Sequence, residues 1–155
     1  MIPENVAEFI QGPVFLSLGM RDDALRPFHA WASGAVVHPD RETVTCFVVK
    51  ERATRMLPHL EANGQIALTA GSPTHEAYQV KGRYVSSREA DAKDRTIQEI
   101  HRNTLMPFAL QCGYPEAIAR PLILGFRYQP AVGITFRAQK VFVQTPGPHA
   151  GKEIQ

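Results

Sequence analysis

Hydrophobic positions in this chain come in short runs separated by polar turn signals. Val14 to Gly19 (VFLSLG), Phe28 to Val37 and Thr43 to Val49 (TVTCFVV) are rich in β-branched and aromatic residues and bounded by Gly, Pro or Asp, which predicts three strands. Gln65 to Ala70 and Ala77 to Ser86 predict a fourth and a fifth. Leu122 to Tyr128, Ala131 to Arg137 and Lys140 to Gln144 read as further strands. Gly34 interrupts its strand as a bulge or a point of close backbone approach. Helical periodicity appears in three places. Pro3 to Gln11 places Val6, Phe9 and Ile10 on one face. Glu51 to Asn63 carries Ala53, Met56, Leu57 and Leu60 at i, i+3, i+4 and i+7, with Gly64 placed for a left-handed cap and Pro58 a source of kinking. Glu89 to Gln111 follows a capping-box spacing at Ser86 and Glu89; Ile97, Ile100, Thr104, Leu105 and Phe108 mark its predicted buried face, and Pro107 a break. A helical turn is expected after Pro115. Many short strands with close turns predict a mainly β fold, an antiparallel sheet closing into a small barrel with peripheral helices. The chain is read as one domain over residues 1–155, with an irregular Gly/Pro-rich tail from 145 to 155.

Composition narrows the function classes. The 155 residues are 44% hydrophobic and 21% charged, with a net charge of +2, too small to argue for nucleic acid by bulk electrostatics. Cys46 and Cys112 form no CxxC pair, and Cys46 reads as a buried thiol. The N-terminus lacks the basic start and apolar run of a signal peptide, and no apolar run approaches the ~20 residues that span a bilayer. A cytoplasmic protein is expected. There is no GxGxxG, HExxH or nucleophile triad motif. Any chemistry is therefore expected from a cofactor that the protein binds and orients.

The stretch from Glu42 to Gly82 holds the candidate chemistry. A strand there runs into a helix whose first turns carry Lys50, Arg52 and Arg55. Backbone N–H groups at a helix start favour an anion, and arginine grips phosphate through paired hydrogen bonds. The same residues also fit a solvated basic face. Gln79 and Lys81 alternate onto one face of their strand, facing a ligand or solvent. His29 and Trp31 share a strand face; a structural histidine and a core tryptophan are the plain readings, a ligand face the other.

The order of these segments resembles the pyridoxamine 5′-phosphate oxidase-like, FMN-binding split barrels. The residues that carry it are VFLSLG, RPFHAWASGAVV, TVTCFVV, ERATRMLPHLEANG, QIALTAG and YQVKG, and the tail VFVQTPGPHAG is similar to one branch of that superfamily. The resemblance covers most of the chain and rests on order and spacing. It implies a six-stranded antiparallel split barrel, usually a homodimer with FMN at the interface. It implies that Arg26, His29, Ala30 and Trp31 run beside the flavin, and that Val49 and Lys50 form the strand end meeting it. Arg55 would hold the phosphate, and Gln79 would reach the flavin, in many members from the other subunit. Two departures stand out. Met56 occupies the place of a second basic residue. The ending Thr145-Pro146-Gly147-Pro148-His149 lacks the Arg/His motif of true vitamin B6 oxidases, so pyridoxamine phosphate is not the expected substrate. The implied function is an FMN-dependent oxidoreductase acting on a small molecule. The alternatives are a non-catalytic flavin- or haem-binding protein, with His29 or His75 as axial ligand, and a member without cofactor.

Overall fold

The computed structural model describes residues 1–155. Six strands close into an antiparallel barrel in the order β1-β2-β3-β6-β5-β4: β1 (Phe15–Arg21), β2 (Pro27–Val37), β3 (Thr43–Val49), β4 (Gln65–Gly71), β5 (Ala77–Glu89) and β6 (Ala131–Val143). Pairing of β1 with β4 closes the ring, so no edge strand is left to aggregate. Four helices surround it: α1 (Glu4–Gln11), α2 (Lys50–Asn63), α3 (Ala92–Gln111) and α4 (Glu116–Ile123). No helix is long and apolar enough to cross a membrane.

Alternation sets the two sides of the wall. Leu16, Leu18 and Met20 of β1, Ile66, Leu68 and Ala70 of β4, and Val80 of β5 point inward with Cys46, Ile134 and Phe136. Burial also pushes the Cys46 thiol far above its ordinary pKa, which suits an inert core residue. Val6 and Ile10 of α1 and Ala53, Met56 and Leu60 of α2 join the same core. The outer face keeps Ser17, Gly19, Ala67, Thr69, Gln79 and Lys81, so Gln79 and Lys81 do share a face.

Long strands bend through bulges. On β2, Ser33-Gly34 oppose a single position of β3. A Cβ at Gly34 would lie 3.5 Å from the Gln98 Cα of α3, so this glycine is both the bulge and the approach point. On β6, Gln139 is the unpaired residue between the Lys81–Lys140 and Gly82–Ala138 pairs. The two predicted strands at Ala131–Arg137 and Lys140–Gln144 are accordingly one strand.

Other expectations are corrected. Leu122 to Tyr128 is not a strand; α4 takes its first two residues and the rest is irregular. The cap of α3 is not Ser86 with Glu89, which lie in the extended β5. It is Asp91, whose carboxylate accepts from the N–H groups of Lys93 and Asp94. Neither Pro58 nor Pro107 interrupts its helix. α3 also presents a different face from the apolar one expected. Ile100 is exposed, while Asp94, Gln98, His101 and Arg102 are buried with Leu105, Met106 and Ala109. The wall it covers offers polar partners at the β2 bulge and in the segment after α4, so polar residues face inward there. Gly64 (φ 68°) ends α2 in the left-handed region, as its placement predicts.

Candidate functional site

The site builds outward from the end of β3. Val49 leads directly into α2 and supplies no side-chain cap, although it stands at the N-cap position. The Lys50 N–H donates to the Pro130 carbonyl (2.8 Å), while the next N–H groups of the first turn have no capping side chain. α2 then runs alongside β2. The His59 ring stacks on Phe28 (4.9 Å), and the Asn63 amide donates to the Arg21 carbonyl (2.9 Å). Arg52 and Arg55 lie on the exposed face of this helix, and neither makes an ion pair.

Trp31 projects from the outer face of β2 and is 48% exposed, so it is not the core tryptophan of the plain reading. The His29 ring meets its edge at 5.2 Å. Trp31, Ser33, Val49 and Arg52 form one side of a cleft of about 160 Å³. The other side is Phe126, Arg127 and Tyr128. No carboxylate lines it.

The Phe126–Tyr128 wall is held from behind by Arg102, which is 9% exposed. Its guanidinium donates to the Leu124 carbonyl (2.9 Å) and the Phe126 carbonyl (3.3 Å). It also lies over the Tyr128 ring (4.2 Å) and the Phe126 ring (5.0 Å). Gln98, fully buried, ties the same wall to the bulge. Its Oε1 accepts from the Ser33 hydroxyl (2.7 Å) and the Gln129 amide (3.2 Å).

Only some of the expected site residues come together. Trp31 and Val49 meet in the cleft, with His29 beside Trp31 and Arg55 one turn along α2 from Arg52. Lys50 is paired instead with Glu89 at the end of β5, and this pairing pulls the Glu89 carboxyl below its usual pKa. Ala30 points into the barrel, so its side chain is closed to any outer ligand. Arg26 stands at the β1–β2 turn beside Asp22 (3.9 Å). Gln79 occupies the same cross-strand row as Trp31, through Ser17 and Thr69. Three interstrand steps put it roughly 14 Å away around the wall. His75 lies in the β4–β5 turn, away from His29. Ser33, Phe126, Arg127 and Tyr128 were not singled out from the sequence, because their segment reads as strand and the bulge shows only at Gly34.

No family profile matches the sequence, and no curated protein does either. Solved structures do match. HupZ of Group A Streptococcus is similar with a TM-score of 0.56 at 16% identity, over 97% of this chain and 100% of that one. An F420 reductase aligns with a TM-score of 0.57 at 14% identity, over 90% and 98%. A candidate pyridoxamine 5′-phosphate oxidase of Lactobacillus delbrueckii aligns with a TM-score of 0.53 at 12% identity, over 91% and 93%. At these identities the likeness establishes architecture: the closed six-stranded antiparallel barrel of this chain is the pyridoxamine 5′-phosphate oxidase-like split-barrel fold.

Proposed function

We propose that the cleft between β2, the start of α2 and the Phe126–Tyr128 wall binds FMN, and that the protein is a homodimeric FMN-dependent oxidoreductase acting on a small molecule. The observation that carries this reading is the meeting, in a cleft lined by no carboxylate, of an exposed indole, a helix N-terminus without a side-chain cap and Arg52, with Arg55 one turn further along α2 and Glu51 in the first turn outside the lining. A planar ring with a phosphate tail matches that donor set. Two of the similar folds are named as a reductase and a candidate oxidase, which supports the redox class.

Arg52, Arg55 and the first-turn N–H groups of α2 would hold the phosphate, while Trp31, with His29 at its edge, would border the ring. The bound flavin would supply hydride or electron transfer. The protein supplies binding, orientation and exclusion of water. No side chain in the cleft is assigned as a catalytic acid or base. Gln79 sits too far around the barrel wall to meet Trp31 within one chain. The small outer residues Ser17, Gly19, Ala67 and Thr69 leave that wall low enough for a second copy to approach, which would bring its Gln79 to the site.

Trp31 is the only tryptophan in the chain, so its emission reports the cleft directly. FMN titration should quench it, and the complex should run at twice the 17.2 kDa chain mass. Arg52→Ala and Arg55→Ala should each weaken FMN by about 1.5–3 kcal/mol, the scale of a hydrogen bond to a charged group. Unchanged Trp31 emission together with no retained flavin absorbance would refute the assignment.

A further inference from the structure

We infer that an apolar chamber behind Trp31 is a specificity pocket that takes the short, uncharged alkyl end of the co-substrate; the co-substrate role rests on the flavin reading above. The chamber, about 20 Å³ in volume, lies where α3 and α4 meet the barrel wall. Phe15, Trp31 and Ser33 form its barrel side, and Leu105, Ile123 and Phe126 its helical side. Trp31, Ser33 and Phe126 also line the cleft, so the two spaces share a threshold.

The chamber is a seam between two cores. Leu105, Met106, Ala109, Ala119 and Ile123 form a small cluster of their own, apart from the barrel core, and Phe15 of β1 packs against it. Apolar side chains that face an unfilled space lose dispersion contacts, and an apolar guest restores them.

Polarity decides the kind of guest. Ser33, His101 and Arg102 are the only polar residues of the lining, and each is already engaged. The Ser33 hydroxyl donates to Gln98, and the His101 ring bonds the Val14 backbone. The Arg102 charge is met by the Leu124 and Phe126 carbonyls and by the Phe126 and Tyr128 rings. Burial holds His101 at about 4, so its ring is uncharged at neutral pH. A water needs roughly two to four polar partners and finds few here. A charged group would shed its hydration without gaining a counter-ion of its own. Size sets the limit. Roughly 10–15 Å³ of such space admits one water-sized group, so the chamber takes an alkyl end of about one or two carbons before its walls must move.

The test titrates the full-length protein, without added FMN and with isotope-labelled Leu, Ile and Val methyl groups, with phenol, para-cresol, para-ethylphenol and para-propylphenol, followed by NMR. The Leu105 and Ile123 methyls should shift. Affinity should rise by about fourfold per added carbon as far as the ethyl group, the scale of a buried CH₂, and then level off. Leu105→Ala should extend the rise to the propyl group and Leu105→Phe should remove it. These variants act in opposite directions, so a general loss of structure cannot imitate both. The charged analogues para-hydroxybenzylammonium and para-hydroxybenzoate, close in size to para-ethylphenol, should bind more weakly by about tenfold or more. A flat series in wild type, a series that neither variant changes, or tighter binding of either charged analogue overturns the proposal. The same series on FMN-loaded protein, read by flavin absorbance, should keep its order; a series that keeps its order without FMN and loses it with FMN overturns the co-substrate role. Failure to take up FMN removes the flavin reading and that role with it, while the titration of the unloaded protein still decides whether the chamber is a binding site.

Discussion

Acid should loosen the wall of the cleft through His101. This histidine lies on α3 directly before Arg102 and is 7% exposed. Burial, chiefly, lowers its pKa from 6.5 to about 4; the Val14 backbone opposes the shift and the Arg102 charge adds to it. A base whose folded pKa is depressed binds fewer protons folded than unfolded between the two values. Stability therefore rises with pH across that window, is complete above about 6.5, and falls as the pH drops toward 4. The full difference of 2.5 pH units corresponds to ~3 kcal/mol, of which about 2 kcal/mol is lost between pH 7 and pH 5. That is a large fraction of a typical domain's stability. The lowered carboxyls act in a lower range. The Thr43 hydroxyl, with the backbone N–H groups of Glu42 and Thr43, holds Asp40 at about 2, and Lys50 holds Glu89 below its usual value. Both stay ionised in the folded state at pH 5, so their stabilisation is lost below that point. Urea denaturation followed by circular dichroism at pH 7 and pH 5 isolates the histidine. Wild type should lose about 2 kcal/mol, and His101→Gln should lose close to none, whatever its stability at pH 7. An equal loss in both proteins would refute the argument. In native conditions Trp31 emission should change over the same range, because α3 carries the Arg102 clamp on the facing wall.

Two further perturbations test the packing that places the cleft. Gly82→Ala puts a Cβ 2.8 Å from a Phe136 ring carbon and into the Arg137 carbonyl at the β6 bulge. It should destabilise by more than ~2 kcal/mol in a denaturant titration, and a change below ~0.5 kcal/mol would show that the bulge yields freely. Gln98→Leu removes the partner of the Gln129 amide, leaves the Ser33 hydroxyl only the longer bond to the Phe47 carbonyl (3.3 Å), and should cost about 2 kcal/mol. Combined with Ser33→Ala the loss should be smaller than the sum, and strict additivity would show that the pair is not coupled.

The barrel was legible in the sequence because its signal is local. Leu16, Leu18 and Met20 alternate without interruption, as do Ile66, Leu68 and Ala70, and a period of two admits one inward face. Gly64 declared its cap, and Gly34 its bulge, by chemistry that other residues perform poorly. The far wall of the cleft was illegible for a different reason. Phe126 to Tyr128 is apolar enough to read as strand. Its actual conformation is set by a guanidinium more than twenty residues earlier, and no local rule carries that information. α3 was misread by the same kind of cause. Its apolar residues do form a stripe, but the surface it covers exposes carbonyl groups and a buried hydroxyl. Gln98 and Arg102 satisfy those groups, and leaving them unpaired would cost more than exposing Ile100.

Met56 shows how the core constrains the candidate site. The sequence pattern puts it on the core-facing stripe of its helix, and the resemblance puts it where a second basic residue would stand beside Arg55. In the fold it is 2% exposed and lies on the helix stripe with Ala53 and Leu60 that closes the barrel. A lysine or arginine there would bury a charge among apolar side chains, at a penalty of several kcal/mol unless it were paired. A second cation on this helix must therefore lie on its exposed face. Arg52 is three residues before Arg55, on the same side and one turn nearer the uncapped N-terminus, where it lines the cleft with Trp31. A basic face at the start of a helix opposes the dipole by a few tenths of a kcal/mol per charge, and this chain keeps Arg52 there without a carboxylate partner. A bound anion would reverse the sign of that cost. That is why Arg52, rather than Lys50, which is paired with Glu89, is the residue we propose beside Arg55 as a phosphate contact.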